Sequence, residues 1–165
     1  MIQQIALGTL LIIATVLVHA VATWVAFHVA VRMHTEGWDL TSLWKSTWLT
    51  ATLVVCMFAV AIFEAFLWAA TYVAVGAFEG LEPAFYFSLV VFTTLGFGDV
   101  VLDPSWRILS AIEAANGVMM FGWTTALIFW FMQRVVRHVF HPAEEKAKIH
   151  GVADDDTDRS GRDLS

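Results

Sequence analysis

Val91-Phe-Thr-Thr-Leu-Gly-Phe-Gly-Asp99 is the stretch whose reading decides the fold. Gly96 and Gly98 stand at alternate positions, and each lets the backbone take a positive φ that a side chain would disfavour. An extended segment with Gly at every second residue can turn successive carbonyl oxygens to one side. Thr94 adds a hydroxyl at one end of that row. Four such segments around an axis would stack rings of oxygens able to replace the water around a monovalent cation. A lone Gly-x-Gly is also an ordinary turn, so the flanking sequence has to decide.

Before it, Glu79-Gly-Leu-Glu82-Pro83 reads as an acidic helix start with Pro in the first turn. Residues 84–93 then make about 15–18 Å of apolar helix, too short for the ~30 Å hydrocarbon core. A short apolar helix running into a Gly-rich segment predicts a re-entrant loop. Irregular backbone at that depth is tolerated only beside protein or a water-filled pore. The helix would aim its negative C-terminal end at the pore axis, where it favours a cation. Between Glu79 and Ser105 the sequence holds Glu79, Glu82, Asp99 and Asp103 and no Lys or Arg. Four copies would concentrate cations at one rim.

Farther out, the composition is that of an integral membrane protein: 59% hydrophobic residues, 15% charged and eight Trp in 165 residues. The first apolar run covers residues 2–31. Ala20-Val-Ala22 resembles a signal-peptide cleavage site, but no Lys or Arg precedes Arg32 and the apolar run continues past it. A retained spanning helix is therefore expected. Gly37 should end it, Asp39 or Thr41 should cap the next, and Trp38, Trp44 and Trp48 suit a membrane–water boundary. A second run covers residues 43–78 and a third residues 106–136. Cys56 is the single cysteine, which excludes an intrachain disulfide. The expected fold is an all-α membrane protein: three transmembrane helices, a short re-entrant pore helix and an extended filter segment.

Thr94-Leu-Gly-Phe-Gly-Asp99, with the flanking helices, resembles the selectivity filter and pore of tetrameric potassium channels over about residues 45–137. The usual family pattern reads Thr-Val-Gly-Tyr-Gly-Asp, and this chain departs from it at Leu95 and Phe97. The resemblance implies potassium binding at Thr94, Leu95, Gly96 and Phe97, with Gly98 completing the filter and Asp99 and Asp103 at the outer mouth. It places filter support at Tyr86, Phe87, Ser88 and Thr93. It sets a hinge glycine at Gly117, a second small residue at Gly122, and cavity-lining positions at Val118, Phe121 and Thr125. Many such channels carry a carboxyl in the pore helix, where this chain has Val90. Glu113 and Asn116 are expected to compensate by bonding the base of the pore helix near Thr93, with a cavity-facing Glu113 as the competing role.

The remaining segments are an additional N-terminal helix (residues 1–34), the pore unit (35–137) and a disordered cytoplasmic tail (138–165). Pro142 is expected to end the last helix, because the residues beyond it are mostly polar and include Asp154-Asp-Asp156. Arg32, Lys45, Arg134, Arg137, Lys146 and Lys148 fit a cytoplasmic face, which sets the N-terminus outside and the C-terminus inside a bacterial inner membrane. With one filter per chain, the partners are three further copies, a homotetramer, and membrane lipids. Nothing suggests nucleic acid, an enzyme or a cofactor other than the permeant ion. A weakly selective cation channel and a non-conducting pore fold are the neighbouring readings. A haem- or metal-binding subunit using His19, His28 and Glu64 is the reading from another class. Nine residues apart, the two histidines fall on opposite helix faces, so a helix–helix hydrogen bond is the expected role of His19. Glu64, ionisable at mid-membrane depth, is a functional candidate or a hydrogen-bonded carboxyl.

Overall fold

The computed structural model describes the backbone of residues 1–35 and 43–162, and side chains within 1–32 and 44–136. Four helices follow in order: α1 (Ile2–Thr35), α2 (Leu43–Ala74), α3 (Leu81–Phe92) and α4 (Arg107–Arg162). Three carry stretches long and apolar enough to cross a membrane, Ile2–Arg32, Trp44–Ala74 and Arg107–Val136. The described residues contain no strand, so the segment after α3 is irregular backbone. Gly37, Trp38, Asp39 and Thr41, expected to make the first connection, lie outside the described residues.

α2 stops at Ala74 and does not reach residue 78. The cause is a left-handed Gly76 (φ 73°). The Ala77 amide donates to Tyr72 O (2.9 Å) and the Gly76 amide to Val73 O (3.0 Å), a Schellman cap that satisfies two terminal carbonyls. α3 begins at Leu81 after an extended Gly80, with Glu82 in its first turn. At 12 residues it is about 18 Å long.

α4 corrects one expectation. The helix passes Pro142 and runs to Arg162, where an irregular tail from residue 143 was expected. Pro removes one backbone donor and kinks more readily than it stops a helix whose next residues propagate well. Glu144-Glu-Lys-Ala-Lys148 is such a run.

The core gathers Ala65, Trp68, Ala69 and Tyr72 of α2 around Ala84 and Phe87 of α3 and Leu109 and Met120 of α4. α1 packs on this unit through one face, Gln4, Gly8, Leu11, Thr15 and His19, spaced three and four residues apart and all buried. Gly8 allows a close crossing, since a Cβ there would sit 2.9 Å from Ile112 Cδ1.

The candidate pore segment

α3 ends in a cap that also starts the Gly-rich segment. Thr93 is the last right-handed residue (φ −80°) and Thr94 turns left-handed (φ 61°). The Thr94 amide donates to Val91 O (2.8 Å) and the Gly96 amide to Val90 O (3.2 Å), tying the segment to the last helical turn. Gly96 (φ 56°) and Gly98 (φ 77°) are left-handed too. Positive φ therefore recurs at every second residue from 94 to 98. The sequence signals this at the two glycines. It does not signal it at Thr94, where a β-branched residue in this region is an outlier.

Residues 93–99 are all exposed in the single chain, Leu95 by 60% and Phe97 by 64%, although they follow the buried Phe92. The outer end is tethered: the Tyr86 hydroxyl donates to Asp99 Oδ2 (2.6 Å). That hydroxyl holds the Asp99 carboxyl below the usual carboxylate range. Asp103 is likewise lowered, chiefly by the Ser105 amide, which donates to Oδ1 (2.9 Å). Tyr86 thus meets the segment as expected. Phe87 does not: it is buried against Tyr72 (ring centroids 5.4 Å) and Phe78 (5.3 Å), so it supports α3 from the α2 side.

Glu113 lies fully buried beneath α3. The Tyr72 hydroxyl donates to its Oε2 (2.6 Å), and Oε1 contacts the Ser88 hydroxyl. Ser88 also donates to Ala65 O (2.6 Å). A hydroxyl has one proton to give, so a proton on Glu113 would let both Ser88 contacts be hydrogen bonds. The carboxyl therefore joins α2, α3 and α4. It does not meet Thr93, whose hydroxyl donates to Leu89 O (2.6 Å) in its own helix, and it does not face a cavity. The register explains this. Gly117 abuts Phe92, since a Cβ at 117 would lie 1.9 Å from the Phe92 carbonyl oxygen. One turn up each helix, Glu113 meets Ser88. Asn116 then points elsewhere, and its Nδ2 donates to Thr15 Oγ1 (2.9 Å) on α1.

Gly117 is thus a close-contact residue here, whereas Gly122 has open space where a Cβ would go. Val118 and Thr125 are exposed in the single chain, and Phe121 is half-buried with its ring 5.9 Å from Phe92.

The polar residues of α1 also find partners. His19 Nδ1 is 3.0 Å from Glu64 Oε1 and Nε2 is 3.2 Å from Thr124 Oγ1, all within the bundle. Both ring nitrogens are engaged. His28 is exposed and stacks on Trp24 (4.0 Å). No group of three metal-donor side chains forms among the described residues. Sequence reasoning left α1 without a role. Its buried polar spacing, Gln4, Thr15 and His19, was the available signal.

Residues 54–134 match the model of a family described as "Ion channel". Comparison with curated proteins and with solved structures gives no match.

Proposed function

As a member of that ion-channel family, with the pore unit of the two-transmembrane type at residues 54–134, the chain, we propose, forms a homotetrameric potassium-selective channel. Ions would shed water onto oxygens of Thr94, Leu95, Gly96 and Phe97 and pass by knock-on between adjacent sites, with no energy source but the gradient. One observation carries this reading: positive φ at residues 94, 96 and 98, in a segment left uncovered by its own chain at the end of a short apolar helix. Such backbone at membrane depth calls for protein or water around it, and three further copies supply both. Asp99 and Asp103 would sit at the outer mouth. With Arg32, Lys45 and Arg134 at the other end, the arrangement favours a bacterial inner membrane with the N-terminus outside and the C-terminus in the cytoplasm. The His19–Glu64–Thr124 contacts give the haem-binding alternative no free imidazole on the inward face of α1.

The test is flux from proteoliposomes of the purified protein. Potassium flux well above sodium flux is expected, and its loss in Gly96→Ala with the tetramer intact. A Cβ at φ 56° meets its own backbone, although no neighbouring residue crowds it. Selective flux persisting in Gly96→Ala would sink the mechanism.

A further inference from the structure

An apolar cavity of about 320 Å³ lies between α1, α2 and α4, in the half of the bundle away from the filter. Ala26 and Val29 of α1, Leu53 and Cys56 of α2 and Leu127 and Trp130 of α4 line it. Thr52 is the one hydroxyl in the lining, and that group donates to Trp48 O of its own helix (2.9 Å). Nothing in the cavity asks for a polar ligand, and an apolar cavity of this kind does not hold water well. In a bilayer the material at its mouth is hydrocarbon.

The end of this cavity is charged. Each of the three lining helices places a cation within about one turn of the apolar lining, on the same face. Arg32 follows Val29 by three residues, Lys45 precedes Leu49 by four, and Arg134 follows Phe131 by three. The Arg134 guanidinium stands over the Trp130 ring at 5.8 Å, which fixes one cation at the cavity edge. Residues 22–32, 44–60 and 127–136 contain no Asp or Glu. Glu36 and Asp39 of the first connection lie outside the described residues. An apolar slot ending in three cations fits a molecule with a hydrocarbon tail and an anionic head.

We infer that this cavity is a site for an anionic phospholipid, its acyl chain between α1, α2 and α4 and its phosphate at Arg32, Lys45 and Arg134. The site needs α1, so it gives the additional helix a ligand shared with the pore unit. It does not depend on which ion permeates, and its test leaves permeation aside.

The full-length oligomer is purified from micelles containing equal phosphatidylglycerol and phosphatidylcholine, and bound lipid is counted by native mass spectrometry. Phosphatidylglycerol is expected to stay bound in preference to phosphatidylcholine. Arg32→Gln, Lys45→Gln and Arg134→Gln, singly and together, should each weaken that preference, by roughly fivefold per cation removed. Ala26→Trp should fill the slot and displace both lipids. Three results would overturn the proposal. They are equal retention of the two lipids, a preference unchanged in the triple Gln variant, and efficient Cys56–Cys56 cross-linking by a short dithiol reagent. The last would mean that a second copy covers the cavity.

Discussion

At Gly117 one missing methyl decides how closely the last helix approaches the end of α3. A Cβ there would stand 1.9 Å from the Phe92 carbonyl oxygen, whereas at Gly122 nothing lies within 4 Å. Gly117→Ala must therefore move one helix off the other, at a cost of about 1–3 kcal/mol or more. Gly122→Ala meets open space and gains up to ~1 kcal/mol of helix propensity. Thermal unfolding of the detergent-solubilised protein should rank Gly117→Ala below wild type and Gly122→Ala at or above it; a Gly117→Ala that melts like wild type would contradict the close crossing. The Tyr86–Asp99 bond gives a second residue-level test, in acid. Its hydroxyl holds the carboxyl below the ordinary range, so the tether is fully present above that range and is lost as pH falls through the lowered value. Tyr86→Phe lets Asp99 protonate at higher pH. The acid limb of ion flux should then move upward in pH, and an unmoved limb would detach Asp99 from Tyr86.

Among the helices, Glu113 is the joint. It accepts a hydrogen bond from Tyr72 of α2 and contacts Ser88 of α3, so one carboxyl fixes α4 against both. Glu113→Gln keeps an acceptor and a donor in the same shape and should leave the oligomer stable. Glu113→Ala orphans two buried hydroxyls and opens a void, with about 1–3 kcal/mol at stake for each unsatisfied group. Heating in mild detergent and reading the surviving oligomer should separate the two variants. Equal survival of Glu113→Ala and wild type would remove the carboxyl from any bracing role. α1 attaches by a similar logic along its length. Gln4 reaches Ser105 O and the Leu109 amide, Thr15 reaches Asn116, and His19 reaches Glu64 and Thr124. Polar contacts suit this task because lipid offers no hydrophobic drive between helices.

The whole molecule separates charge along the membrane normal, with acids around the pore segment and cations at the opposite ends of the three spans. That asymmetry predicts orientation. A reporter fused before Ile2 should report from outside and one after Ser165 from the cytoplasm; both on one side would mean an even number of crossings. The sequence by itself determined the class, the three spans and the short helix between the second and third. A bilayer selects for length and apolarity, which are sums over consecutive residues and need no knowledge of packing. It also determined two of the three left-handed positions, because glycine's freedom is a property of glycine. Only the tertiary structure decided the partners. Glu113 meets Ser88, 25 residues away, and Asn116 meets Thr15, 101 residues away, because Gly117 sets α4 against Phe92 and fixes its rotation. Thr94 turned left-handed because the helix ending before it needed its last carbonyls capped, and no local pattern marks a threonine for that.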